Sequence, residues 1–339
     1  MSDSKLKFQF LNGALNLPQP FEENGSLMMN FLFKSDLKSL QTVCDKWLNE
    51  PTNQELYYQP LAPIVQITFA NAKKSYPSSG PYKDWGVIPY QEVIVSIFVL
   101  RVKKEGGIWI AEHVSALVPY IFVTDAIVMS TGREIYGMPK ALGWIELPAS
   151  LGEANKVFKL SSVSALHFER GVPFSKEQLL SITQTSQVSI PFTEEWQDIE
   201  SAAKAIKKMM FGEGHIEIPG LKLIVEIAEI LIEKKLPFTS LRQVRSIAEP
   251  ENAVYKSVIE FNATALKING GGRINGEFQL HIPGNDLFPM ASDLGLSDGQ
   301  VAEAAFWLDW DFVFGTGKDI WSTEQKPSLF KRLLHLFKL

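Results

Sequence analysis

Runs of hydrophobic and polar residues divide the chain into three parts. Strand-type patterns fill most of the first half, helix-type patterns follow, and strand-type patterns return in the last third. Short turns, rather than regular helical crossovers, join most of the early strands, and this favours antiparallel pairing over a doubly wound parallel sheet. We therefore predict an α+β protein in which a mainly antiparallel sheet closes into a barrel-like core with helices at its periphery.

The first half is predicted to contain one helix among several strands. The helix follows Ser35, which can cap it, and presents an apolar stripe that includes Leu40, Val43 and Trp47. The segment 90–102 is apolar on both faces, so we expect a central strand that is covered on both sides. The strands predicted in this half cover 28–33, 64–70, 90–102, 108–114, 120–130, 144–147 and 157–168.

The second half is predicted to begin with helices. Ser175 opens a capping-box pattern ahead of a helix at 176–185. The amphipathic tail at 326–339 is predicted to dock onto its own fold or a neighbouring subunit, with contact to a membrane surface as the alternative. Further helices are predicted at 193–212, 221–235, 285–294 and 297–305, and further strands at 255–267, 277–282 and 307–314.

The stretch from Gly132 to Gly143 carries the most distinctive candidate chemistry. Its three glycines and one proline indicate a tightly turned backbone, which we expect at the end of a buried strand. Lys140 stands there among apolar neighbours such as Met138. Desolvation lowers the pKa of an amine and makes it a nucleophile that carbonyl compounds trap as a Schiff base. The alternative is a lysine that extends from the turn into water.

Glu92 is a second candidate because it lies within the apolar strand at 90–102. By alternation it faces the same way as Ile94 and Phe98. A buried carboxylate needs a partner, a proton or a cleft, since an unpaired charge in an apolar interior is costly. The alternative is that Glu92 lies at the exposed start of the strand.

Composition narrows the function classes. The chain has 339 residues, is 45% hydrophobic and carries a formal net charge of −5, which is typical of a globular protein and gives no electrostatic footprint for nucleic acid. Its single cysteine, Cys44, allows no intramolecular disulfide and no cysteine metal cluster. The sequence also lacks a secretory signal pattern and a membrane-length apolar run, so we expect a cytoplasmic protein.

The string Gly-Arg-Glu-x-x-Gly-x-Pro-Lys-x-x-Gly at 132–143 resembles the signature of the acetoacetate decarboxylase family. In that family the lysine after the proline forms the Schiff base, a well-known case of an activated lysine, and the resemblance implies this role for Lys140. Tyr90-Gln91-Glu92 is similar to the Tyr-x-Glu that begins an earlier strand of the family, which implies an active-site carboxylate at Glu92. Weaker similarity extends over nearly the whole chain.

The resemblance implies further properties. We expect a cone-shaped barrel within a single domain at 1–325, an enlarged helical insert at about 171–236, and a homo-oligomer. It implies chemistry without a metal or organic cofactor, on a small keto substrate. The substrate pocket is expected to include Met138, Tyr90, Arg133 and Glu134.

Three positions depart from the family pattern. Ala141 stands where decarboxylating members have a second lysine, Ser26 aligns with a pocket arginine, and Thr68 aligns with a second pocket glutamate. Our favoured hypothesis is a Schiff-base lyase acting on a small β-keto acid or related ketone. The alternatives are a non-decarboxylating Schiff-base aldolase or dehydratase on pyruvate-like substrates, and a catalytically silent binding or assembly protein on the same scaffold.

Overall fold

The computed structural model describes residues 16–84, 86–211, 216–217, 224–225 and 235–325. Its helices are α1 (Leu37–Cys44, continued by a π-helical turn at Asp45–Asn49), α2 (Ala126–Glu134), α3 (Ile199–Phe211) and α4 (Met290–Leu294). Its strands are β1 (Phe21–Lys34), β2 (Tyr57–Pro60), β3 (Ile64–Pro77), β4 (Ile88–Glu105), β5 (Ile108–Val123), β6 (Lys140–Leu142), β7 (Trp144–Glu146), β8 (Val157–Ser164), β9 (Ser175–Gln184), β10 (Ile216–Glu217), β11 (Ile224–Val225), β12 (Lys235–Arg245), β13 (Ala253–Arg273), β14 (Phe278–His281), β15 (Ala304–Phe314) and β16 (Lys318–Ser322).

Seven strands close into a barrel in the order β4-β3-β1-β15-β13-β12-β5, and β5 pairs with β4 to complete the ring. Every neighbouring pair in this ring is antiparallel except β12 and β5, which run parallel. The predicted α+β fold with a mainly antiparallel barrel is therefore confirmed. None of the described helices is long and apolar enough to span a membrane.

A smaller sheet in the order β14-β9-β8-β7 shares its core with the barrel. Phe31 and Phe69 of the barrel meet Phe158 and Phe278 of the smaller sheet, with ring centroids of Phe31 and Phe158 4.9 Å apart. All four side chains are almost fully buried. Aromatic contacts of this kind stabilise a core beyond the area they bury, so the two sheets form one continuous packed unit here.

Two helices predicted in the second half are wrong. Ser175–Gln184 is the strand β9, because Leu179, Leu180 and Ile182 are buried between β8 and β14, and sheet pairing outweighs the local capping pattern. No helix forms at 297–305, where a loop leads into β15. The predicted helix at 193–212 begins later, at Ile199.

The predicted helix at 221–235 lies largely outside the described residues, among which Ile224–Val225 is a short strand and Lys235 begins β12. The tail at 326–339 also lies outside them. The domain boundaries, the extent of the insert and the homo-oligomer stay predictions.

The two strands predicted at 108–114 and 120–130 are wrong in their bounds. They form one strand, β5, which ends at Val123. Pro119 lies where the pairing of β4 with β5 shifts register, a position at which a residue without an N–H group is tolerated. Asp125 then caps helix α2, which replaces the end of the predicted strand.

Candidate active site

The backbone before Lys140 is held in a compact turn by α2. The carboxylate of Asp125 accepts hydrogen bonds from the backbone N–H groups of Ile127 and Val128 and so fixes the start of the helix. At its other end, the Met138 N–H group donates to the Gly132 carbonyl over 3.0 Å. Gly137 has a φ of +67°, a left-handed conformation that suits glycine. These contacts fix the turn that leads into β6, which begins at Lys140.

Lys140 lies inside the protein because β6 pairs in parallel with the end of β5, where Lys140 is opposite Ile121. The residue is 6% exposed. Its stem passes directly over Gly132, where an added Cβ would lie 2.5 Å from the Lys140 Cδ atom. Strand alternation turns Ala141 to the other side of β6, where it packs against the core between the two sheets. Glycine at position 132 therefore leaves the space through which the lysine stem runs.

Glu92 contacts the Lys140 amine. Lys140 Nζ and Glu92 Oε2 are 3.3 Å apart, and Glu92 is 4% exposed. The centroid of the Tyr90 ring lies 5.8 Å from the same Nζ. Tyr90 and Glu92 share a face of β4 because side chains two residues apart point the same way along a strand. The buried carboxylate anticipated from the sequence thus has a cationic partner.

A second carboxyl group, Glu23, reaches this region from β1. The Tyr90 hydroxyl donates a hydrogen bond to Glu23 Oε1, while Glu23 Oε2 is buried and has no hydrogen-bond partner among the described residues. Burial and the nearby Glu92 charge raise the pKa of Glu23 to about 8. Burial and the two carboxylates raise the pKa of Tyr90 well above its usual value, so the tyrosine remains a hydrogen-bond donor.

A cavity of about 20 Å³ adjoins the lysine, with room for roughly one water molecule. Among the described residues, the wall is mainly apolar and aromatic, with one basic side chain, Lys140, and one acidic side chain, Glu23. Glu92 contacts the amine but does not itself line the cavity. The lining residues are Phe21, Glu23, Tyr90, Val128, Thr131, Gly132, Tyr136, Met138, Lys140 and Phe314.

A wider groove of about 400 Å³ lies beside the turn that leads to Lys140. Glu134 and Ile135 line it, and Tyr136, the next residue, lines the inner cavity instead. The groove also includes Asn16, Pro18, Gln19 and Arg242. The short segment 134–136 therefore separates the small buried cavity from the larger open groove.

The arrangement of strands is similar to that of two solved acetoacetate decarboxylases. Acetoacetate decarboxylase from Legionella pneumophila superposes with a TM-score of 0.58 at 14% identity, over 95% of this chain and 94% of that chain. A second acetoacetate decarboxylase structure gives a TM-score of 0.55 at 12% identity, over 92% and 93% of the two chains. This chain has the acetoacetate decarboxylase fold.

The same fold occurs in the enduracididine biosynthesis enzyme MppR, solved in complex with pyruvate, which superposes with a TM-score of 0.51 at 15% identity over 91% of this chain and 93% of that one. The sequence itself matches no family model and no curated protein. The resemblance drawn from the signature at 132–143 is thus confirmed at the level of the acetoacetate decarboxylase fold.

The acetoacetate decarboxylase fold brings together four of the six predicted site residues, namely Lys140, Glu92, Tyr90 and Met138. Arg133 and Glu134 do not belong to the cavity. Both are exposed at the C-terminal end of α2, next to the buried Gly132. Glu134 instead faces the groove, where it accepts a hydrogen bond from Asn16.

Two of the three positions that depart from the decarboxylase pattern, Ser26 and Thr68, hold buried, uncharged side chains. Ser26 is fully buried, and Thr68 donates a hydrogen bond to Asn30 Oδ1 over 2.7 Å. Among the described residues, no group of three or more histidine, cysteine, aspartate or glutamate side chains is arranged to hold a metal ion.

Proposed function

We propose that the protein is a Schiff-base enzyme, a carbon–carbon lyase that acts through Lys140 on a small β-keto acid or related ketone. The observation that carries the proposal is the buried contact of 3.3 Å between Lys140 Nζ and Glu92 Oε2 beside a small, mainly apolar cavity. A lysine with a carboxylate at hydrogen-bonding distance, set apart from bulk water, has what an amine nucleophile requires.

The geometry suggests how the reaction begins. The amine attacks a carbonyl carbon only in its neutral form, so the ammonium proton must first leave. Glu92 Oε2 is the acceptor in contact with it. The addition product then loses water and becomes an iminium, which draws electrons from the adjacent carbon. With a β-keto acid, loss of carbon dioxide leaves an enamine, and its protonation and hydrolysis release the ketone and the free lysine.

A second candidate keeps the iminium but omits decarboxylation. Lys140 is the one basic side chain among the described residues that line the cavity, and Glu23 adds an acidic group. Ser26 and Ala141 stand where the decarboxylating pattern has an arginine and a second lysine, so the two cations that accompany loss of a carboxylate in that pattern are missing here. The structures of MppR with pyruvate, and with the condensation product of pyruvate and imidazole 4-carboxaldehyde, support aldol-type or dehydratase chemistry on pyruvate-like ketones.

Reductive trapping tests both candidates. The protein is incubated with acetone, acetoacetate or pyruvate, treated with borohydride, and digested for mass spectrometry. We expect the reduced adduct on Lys140, and its loss in Lys140→Met. Lys156→Gln is the matched control, because Lys156 is also fully buried but donates to Gln184 Oε1 in the smaller sheet.

Carbon dioxide release separates the candidates. Release from acetoacetate that depends on Lys140 supports the decarboxylase, whereas trapping of pyruvate without any release supports the aldolase or dehydratase. Absence of an adduct with every ketone in a folded protein would contradict both and leave a binding or assembly role for the scaffold.

A further inference from the structure

Glu23 is the one acidic residue among the described residues that line the cavity, and the chemistry of Lys140 and Glu92 gives it no task. It is 1% exposed, and its Oε2 atom has no hydrogen-bond partner in the described part of the chain. A buried polar atom without a partner costs free energy. Such an atom in a residue of the cavity wall can form a hydrogen bond with a group that enters the cavity.

Tyr90 orients this carboxyl group. Its hydroxyl donates to Glu23 Oε1, so that oxygen serves as an acceptor and a proton on Glu23 belongs on Oε2. Tyr90 keeps its own proton because burial and the carboxylates raise its pKa. The tyrosine ring also lies beside the Lys140 amine. Tyr90 thus orients the carboxyl group of Glu23, and Glu23, Tyr90 and Lys140 line the same small cavity.

The two carboxyl groups occupy different places relative to the lysine. Glu92 contacts Nζ and lies outside the cavity wall, whereas Glu23 faces the cavity itself. We propose that Glu23 is a second catalytic carboxyl group, which exchanges a proton with the carbon next to the substrate carbonyl once that carbonyl is bound to Lys140. This inference rests on the proposed Schiff base and assigns its proton donor.

The proton transfer is balanced within the site. The π electrons of the enamine form a new C–H bond with the proton on Glu23 Oε2, and the electrons of that O–H bond remain on Glu23 as a carboxylate. The nitrogen becomes an iminium, which water hydrolyses to ketone and amine. In the reverse direction the Glu23 carboxylate removes a proton from the same carbon. Solvent restores its protonation state between turnovers.

The surroundings of Glu23, burial above all, favour its protonated form. Glu92 and Tyr90 face it from β4, Tyr136 from the turn before β6, and Lys140 from β6. Burial and the Glu92 charge outweigh the opposing effects of Tyr90 and Lys140, and the pKa of Glu23 rises to about 8. A carboxyl group with a pKa near the working pH is suited both to give and to accept a proton.

Hydrogen exchange in heavy water tests this inference with acetone as the probe. We expect the wild-type protein to catalyse the incorporation of deuterium into acetone, which is measured by proton NMR. Borohydride should also trap the acetone adduct on Lys140. Glu23→Gln should slow the exchange by about 100-fold, the lower range for loss of an acid–base group. Because Lys140 and Glu92 are intact, its trapping should stay within about twofold of wild type.

Glu22→Gln is the matched control, since Glu22 is the adjacent residue of β1 and pairs with the Tyr76 hydroxyl outside the cavity. It should leave both measurements unchanged. Normal trapping with undiminished exchange in Glu23→Gln would overturn this inference alone. Loss of trapping together with exchange in that variant would assign Glu23 a structural role and also overturn it. Absence of trapping in the wild type would overturn the proposed function and this inference together.

Discussion

At the scale of single residues, Glu23 links the site to the stability of the protein. Its pKa is raised from 4.5 to about 8 in the folded state. Between these values the folded protein holds a proton that the unfolded chain has released, so the free energy of unfolding falls as the pH rises. This contribution is present in full below about pH 4.5 and is lost as the pH rises through about 8.

Glu23→Gln should remove this pH dependence, because the amide resembles the protonated carboxyl group and does not titrate. We expect the variant to gain stability relative to wild type as the pH rises from 5 to 8, by at most about 1.4 kcal/mol per pH unit. Urea unfolding at pH 5, 6.5 and 8 measures the difference, with Glu22→Gln as the control. If the free energies of unfolding of Glu23→Gln and wild type changed with pH in parallel, this would contradict the raised pKa of Glu23.

The variant Gly132→Ala tests whether adduct formation needs the space that glycine leaves for the lysine stem. In Gly132→Ala the new methyl group would lie 2.5 Å from Lys140 Cδ and 2.6 Å from Cε, so the stem must shift from its place beside Glu92. We expect adduct formation at Lys140 to slow at least about 10-fold, since small displacements of a reacting group are costly. Stability should change little, because alanine favours the helix by about 1 kcal/mol and so offsets part of the crowding.

The rate of adduct formation with a limiting ketone measures this effect. Gly152→Ala provides the control, since an added Cβ there meets no atom closer than 3.7 Å. Adduct formation at the wild-type rate in Gly132→Ala would show that the lysine position is not set by this contact.

At the scale of elements, α2 connects the end of β5 to the lysine and so determines the turn that precedes it. Removing its N-cap in Asp125→Ala should cost about 1 kcal/mol of stability. It should also slow adduct formation, because Val128, Thr131 and Gly132 of this helix line the cavity. Urea unfolding and the trapping rate report the two effects separately.

Asp36→Ala is a close control for Asp125→Ala. Asp36 caps α1 by accepting a hydrogen bond from the Ser39 N–H group over 2.8 Å, and α1 contributes no residue to the cavity. Both variants should lose similar stability, but only Asp125→Ala should slow trapping. Equal trapping rates in the two variants would mean that α2 does not position the site.

The elements that the sequence predicted well are those whose pattern and environment agree. The strands at 64–70 and 90–102 are long, apolar and β-branched, and they became β3 and β4. Ser175–Gln184 was mistaken for a helix because a capping pattern is local, whereas the burial of Leu180 and Ile182 depends on strands distant in the chain. The helix at 126–134 was also missed. Its first residues are apolar and typical of a strand, whereas the Asp125 side chain caps a helix there.

At the scale of the whole molecule, barrel closure assembles a site from residues far apart in the chain. Glu23, Glu92 and Lys140 lie on β1, β4 and β6, and only the pairing of these strands through β3 and β5 brings them together. Lys140 and Glu92 could be anticipated because their chemistry conflicts with their apolar neighbours. Glu23 could not, because the register of β1 shifts between Glu23 and Ser26, where Gly25 has a φ of +64°.

The proposed function depends most on covalent bond formation at Lys140. The most direct measurement is a crystal structure of the protein soaked with acetylacetone, a β-diketone that can condense with the amine. We expect continuous electron density from Lys140 Nζ to a carbon of the diketone, within the cavity that Lys140 and Glu23 line. An unmodified Lys140 in crystals soaked with an excess of the diketone would contradict the proposed Schiff base.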